Sequence, residues 1–96
     1  MYKQDFFCEV LERVCNEMDI QSDMVLHSNR EECVDARYIV IAILSERMND
    51  RQIADVSGWS VQLVNKAKNA FESRCVYRWG LRGIYLKLKG AQLGAT

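Results

Sequence analysis

The chain is predicted to be all-α: a compact helical domain with a central helix-turn-helix and a short C-terminal extension, helical or irregular. Three observations carry this. Hydrophobic residues make up 49% of the 96 and proline is absent, so helices of ordinary length can run without the commonest breaker. Apolar residues recur at three- and four-residue spacing over most of the length, with few turn clusters and no long alternating run. A short helical pattern and a longer one also meet at Gly58, a residue free to adopt the positive φ of a sharp turn.

The first helix is expected from Asp5 to about Met18. Phe7, Val10, Leu11, Val14, Cys15 and Met18 form its apolar stripe, and Glu9, Glu12, Arg13, Asn16 and Glu17 its polar side. This stripe covers the helices that follow, or part of it forms a homodimer, since DNA-binding helical domains often act as two-fold pairs. Asp19 to His27 is a short connection in which Ile20, Met24, Val25 and Leu26 pack down, with room for a helical turn. A second long helix begins after Ser28 or Asn29, where an N-cap precedes Glu31 and Glu32, and continues to about Met48. Its run from Tyr38 to Leu44 is apolar on more than one face, which makes it the central scaffold. Arg37 interrupts it, either as a structural arginine paired with an acid or as a phosphate clamp.

A two-turn helix from about Arg51 to Ser57 offers Ile53, Ala54 and Val56 to a partner. After Gly58, Ser60 serves as N-cap for a helix from Val61 into the low seventies that buries Val64, Ala67 and Phe71. Gln62, Asn65, Lys66 and Asn69 fall on the opposite face. With Ser60 they form a candidate base-reading set, because Gln and Asn can bond an adenine edge and Lys can reach guanine acceptors. Trp59 suits a plug between helices better than a base contact. The last segment fits a helical stripe of Leu81, Ile84, Tyr85 and Leu88, or an alternating strand. A helix is the better expectation because no sheet is at hand.

Charge is distributed unevenly along a chain whose formal net charge is zero. Residues 1–60 hold six Lys and Arg against twelve Asp and Glu, whereas from Val61 onward seven cations face only Glu72. Phosphate affinity depends on local cation density, so Arg37, Arg51, Lys66, Lys68, Arg74, Arg78 and Arg82 are candidate phosphate contacts. Trp79, among those cations, stacks on a sugar or packs on the domain. The expected partner is double-stranded DNA, with no membrane and no small-molecule ligand.

No catalytic or cofactor chemistry is evident. Cys8, Cys15, Cys33 and Cys75 contain no C-x-x-C pair, and the single histidine, His27, lies in the connection without a Ser or Cys partner. Cys8 and Cys15, roughly 10 Å apart along one helix, cannot form an intrahelical disulfide, so reduced cysteine is expected. No metal site, cofactor or enzyme activity is predicted. With no signal-peptide pattern and no apolar run of membrane-spanning length, the expectation is a soluble cytoplasmic protein. The organisation expected is one domain, 1–96, with a helix-turn-helix core over 28–73, a basic extension over 74–89 and a frayed tail over 90–96.

Ser28-Asn-Arg, Val34-Asp-Ala-Arg37-Tyr-Ile-Val-Ile-Ala-Ile-Leu44, Ile53-Ala54 and Gly58 to Val64 together resemble the C-terminal DNA-binding domain of the bacterial replication initiator DnaA. That domain lies within the tryptophan-repressor-like helix-turn-helix group, and the likeness covers roughly Ser28 to Ser73. The chain is also similar to short stand-alone proteins of prophages and other mobile elements of Bacteroides-like bacteria. The resemblance implies an all-helical DNA-binding module in which Arg37 lies near the DNA backbone and the helix after Gly58 reads bases, and the expected function is that of a sequence-preferring regulator from a mobile element. Where initiator domains carry Gly-Arg-Asp-His-Thr-Thr-Val, however, this chain carries Gly58-Trp-Ser-Val-Gln-Leu-Val64, and it has no G-x-x-x-x-G-K-[ST] loop. Initiation at the initiator's own site is therefore not implied. The alternative is a protein-interaction module on a helix-turn-helix scaffold that has lost DNA binding.

Overall fold

The computed structural model describes the backbone of residues 2–94 and the side chains of residues 3–90. Six helices follow one another: α1 (Tyr2–Met18), α2 (Ser22–His27), α3 (Glu31–Leu44), α4 (Asp50–Ser57), α5 (Val61–Tyr77) and α6 (Leu81–Gly94). Among the described residues there is no strand, and the fold is all-α.

The scaffold is α3. Every residue from Asp35 to Leu44 is buried, and a helix that is apolar all round has to be covered all round. Helices α1, α2, α5 and α6 pack against it. The stripe of α1 turns inward, so that Phe6, Phe7, Val10, Leu11, Val14 and Cys15 are all buried in the chain's own core. The stripe therefore covers the helices that follow it, the first of the two uses expected for it.

α1 ends on Asp19, whose φ of 57° reverses the chain, and the Ile20 amide donates back to the Cys15 carbonyl at 3.0 Å. This is the Schellman arrangement with Asp in place of the usual Gly, and Asp tolerates the left-handed region better than most residues. The connection expected after it holds a complete short helix, α2, whose Val25 is fully buried. The expected cap of α3 is displaced. The helix starts at Glu31 after an extended Arg30 with no side-chain cap, while Ser28 Oγ accepts from the Arg30 amide at 3.1 Å. α3 also stops at Leu44, short of Met48, and the chain turns before Asn49.

Asn49 caps α4 through a reciprocal pair. Its Oδ1 accepts from the Gln52 amide at 2.9 Å, and Gln52 Oε1 accepts from the Asn49 amide at 3.0 Å. Such a capping box satisfies two donors that a helix start otherwise leaves open. At the other end Gly58 takes φ 83°, with its amide on the Ala54 carbonyl at 2.9 Å. Ser60 Oγ then accepts from the Leu63 amide at 3.0 Å and opens α5, which buries Val64, Ala67 and Phe71. α5 continues to Tyr77, beyond the low seventies, because Arg74 and Arg78 find partners on α3.

The C-terminal segment is helical over 14 residues, longer than the short helix expected. Leu81 and Leu88 are buried, Ile84 and Tyr85 pack on the core, and Tyr85 meets Phe71 edge-on at 5.0 Å. This stripe faces α3, α1 and α5, which excludes the strand. Helix also extends through Gly90 to Gly94 where fraying was expected, and Ala95 and Thr96 lie outside the described residues.

A Cβ added at Gly58 meets no atom within 4 Å, so substitution there costs backbone strain alone. Gly58→Ala is expected to destabilise the fold by about 1–2 kcal/mol, the usual penalty for a left-handed non-glycine residue. Gly58→Asn should cost less, since Asn visits that region more readily. Urea denaturation of the two variants checks the ranking.

Candidate nucleic-acid interface

Gln62, Asn65, Lys66 and Asn69 all lie exposed on α5, with Ser60 exposed at its start. The burial of Val64, Ala67 and Phe71 against the core sets the helix's rotation, and the polar face follows from it. The predicted base-reading residues are therefore together on one surface.

Asp50, in the first turn of α4, controls part of that surface. Asn65 Nδ2 donates to Asp50 Oδ2 at 3.0 Å, Lys68 Nζ stands 2.8 Å from Asp50 Oδ1, and Asn69 Nδ2 donates to Asn65 Oδ1 at 3.2 Å. An ionised carboxylate only accepts, so the Asn65 amide has to present its NH2 to Asp50 and its oxygen to Asn69. That fixes the order of donors and acceptors along the face, and it leaves Asn65 half committed. Gln62 and Lys66 have no side-chain partner among the described residues, so Gln62 keeps both its donor and its acceptor. It is the amide best able to bond an adenine edge in bidentate fashion. The Lys68 ammonium first, and the Asn65 amide second, hold the Asp50 carboxyl below its usual range.

The candidate phosphate contacts divide differently. Arg51 is exposed on α4 and has no partner among the described residues. Arg37 is only 6% exposed. Its Nε donates to the Val25 carbonyl at 2.9 Å and its Nη2 to the Ser28 carbonyl at 2.6 Å, while its guanidinium lies 5.9 Å from the Trp59 ring centroid. It thus ties α2 to α3 through carbonyls, not through the acid expected, and burial pulls its pKa down. Two of its five N–H donors are thus used inside the fold, a structural role alongside which its part as a phosphate contact stays an expectation.

Asp35, buried on α3, receives Arg74 Nε at 2.6 Å and Arg78 Nε at 2.7 Å. Glu31 stands 3.9 Å from Arg74 and 3.5 Å from Arg78. Arg82 pairs with Glu72, Lys87 with Glu17 and Lys89 with Glu46. Asp35 raises the Arg78 pKa and Glu72 that of Arg82. Of the seven cations from Val61 onward, only Lys66 is left without an acid among the described residues. Five of the other six take their acid from the first half of the chain, and Arg82 takes Glu72 from its own half.

Sequence reasoning did not single out Asp35 or Asp50. Asp35 had a signal, since an acid beside a long apolar run is seldom buried without a cation. Asp50 had none, because its partners stand 15 and 18 positions away on another helix.

Trp59 is buried, as expected of a plug. Its Nε1 donates to the Leu26 carbonyl at 3.2 Å, and its ring meets Phe7 edge-on at 6.0 Å. Trp79 is 99% exposed and so does not pack on the domain. All four cysteines are free, and burial pushes the Cys15 and Cys75 thiols up, away from the thiolate form. Among the described residues no cluster of three or more His, Cys, Asp or Glu could hold a metal ion, and no helix is long and apolar enough to cross a membrane.

No protein-family model, curated protein or solved structure matches this chain.

Because the folded-state pKa of Asp50 is depressed, its ion pair stabilises the fold above the ordinary carboxylate range and is lost as pH falls through the folded value. Wild type should exceed Asp50→Asn in stability at neutral pH, with the gap closing below about pH 4. Thermal melts across pH measure this. Asp35→Ala, which strands two arginines that can still reach water, is expected to cost about 2–3 kcal/mol at neutral pH, read by urea denaturation.

Proposed function

We propose that this chain is a double-stranded DNA-binding domain of the helix-turn-helix kind, with no catalytic role. In this reading α5 enters the major groove. The observation that carries it is the exposure of Gln62, Asn65, Lys66 and Asn69 on one helix face, behind a glycine turn and a serine cap. Ser60 lies at the start of the helix, where recognition helices meet base edges. Gln62 is the principal base reader, Asn65 and Asn69 act as an ordered pair, and Lys66 reaches guanine or phosphate. The sequence resemblance to initiator DNA-binding domains and to stand-alone proteins of mobile elements supports a sequence-preferring regulator.

Phosphate contact falls chiefly to Arg51, Lys66 and Lys68. Lys68, whose side chain is 41% exposed, reaches a phosphate by giving up its pair with Asp50, whose side chain is only 19% exposed, which costs more than breaking a surface pair. Arg74, Arg78 and Arg82 already have carboxylate partners and add little local positive potential. With two or three phosphates engaged, log affinity should fall against log salt with a slope of about −2 to −3, shallow for a DNA-binding protein.

A second reading is favoured by one observation. Pairing of six of the seven C-terminal cations with acids suits a helix-turn-helix scaffold used for protein contacts instead of DNA.

Selection from random duplexes at low salt, followed by anisotropy titration at two salt concentrations, separates the two. The DNA reading expects an enriched site. Gln62→Ala should lose about 1–3 kcal/mol at that site, more than Asn65→Ala. Lys66→Ala should flatten the salt slope by about one unit, and Arg82→Gln should leave binding nearly unchanged. If no duplex is enriched and none shows salt-dependent binding, the protein-contact reading replaces it.

A further inference from the structure

We propose that the surface around Val76, Tyr77 and Trp79, where α5 gives way to α6, is the interface of a two-fold homodimer. These three side chains are 87%, 89% and 99% exposed, within four consecutive residues of a chain whose other aromatic residues among the described side chains are buried or half-buried. Two aromatic residues bury on the order of 150–250 Å² each when covered. With Val76, and with the patch counted from both copies, about 1,000 Å² would leave water. That reaches the lower bound for a specific interface before any surrounding residue is added.

The same surface contains a recess to receive such a side chain. Glu31, Arg74, Tyr77 and Arg78 line an open hollow of about 230 Å³. Tyr77 lines the hollow, and Trp79 stands two residues further along the chain. An isologous contact requires this self-complementarity, since each copy must present both parts. Charge agrees. Arg74 and Arg78 are already paired with Glu31 and Asp35, so covering the hollow brings no unpaired charge into the contact, and a formal net charge of zero leaves no overall repulsion between copies. Trp, Tyr and Arg are also the residues that most often dominate interface energetics.

The location leaves α5 free for its other use. Tyr77 closes a 17-residue helix, roughly 24 Å from the end proposed to meet the groove. The dimer therefore stands on its own observations and does not require the DNA reading.

Sedimentation equilibrium of the full chain tests this without any nucleic acid. Wild type should fit twice the chain mass. Y77S/W79S, two changes at exposed positions, should keep the helical circular dichroism and the melting temperature yet raise the dimer dissociation constant at least thirtyfold, the loss typical of removing a central interface aromatic. A wild-type chain that stays monomeric at the highest concentration reached overturns the proposal, and so does a double variant that dimerises as tightly as wild type. A monomeric wild type whose DNA affinity falls in Y77S/W79S would also overturn it, assigning the two rings to nucleic acid.

Discussion

The structure depends on covering α3. Ten consecutive residues from Asp35 to Leu44 are buried, so this helix has no side to leave in water, and four of the other five helices pack against it. Fixing α5 on α3 through Val64, Ala67 and Phe71 is what turns Gln62, Asn65, Lys66 and Asn69 outward. The orientation of the candidate interface is thus a consequence of core packing.

The two polar residues in α3's buried run serve the same end. Arg37 satisfies two carbonyls around α2, and Asp35 holds Arg74 and Arg78 of α5. Each is a charged group in a largely apolar setting, tolerable because hydrogen bonds meet it there. Asp35 fixes the far end of α5 to the scaffold, and Asp50 ties the middle of α5 to α4 through Asn65 and Lys68. Between them these two acids restrain the helix that carries the polar face.

That restraint has an electrostatic consequence for function. Cations that a linear count assigns to a basic face are set against acids, Arg82 against Glu72 of its own half and the others, apart from Lys66, against acids of the first half. What is left facing water is a small polar surface with few free positive charges, suited to base contacts more than to strong phosphate attraction. The surface at the opposite end of α5, where Val76, Tyr77 and Trp79 are exposed, is of a different kind.

Local features were largely legible in the sequence. The Gly58 turn, the Ser60 cap, the stripes of α1 and α5 and the apolar run of α3 each depend on residues within a few positions of one another. The capping box of Asn49 and Gln52 is equally local, with Asn where Ser or Thr is usual in that motif. The C-terminal helix was harder, since its stripe also fits a strand and only contact with α3 and Phe71 selects the helix. Sequence by itself determined the helices, their inward faces and the glycine bend, because periodicity and capping act over one or two turns. Tertiary structure alone decided which charges neutralise which and that Trp59 is covered while Trp79 is bare. Asp35 meets Arg78 across 43 positions and Glu17 meets Lys87 across 70, and no local pattern encodes a pairing that exists only once the helices have packed.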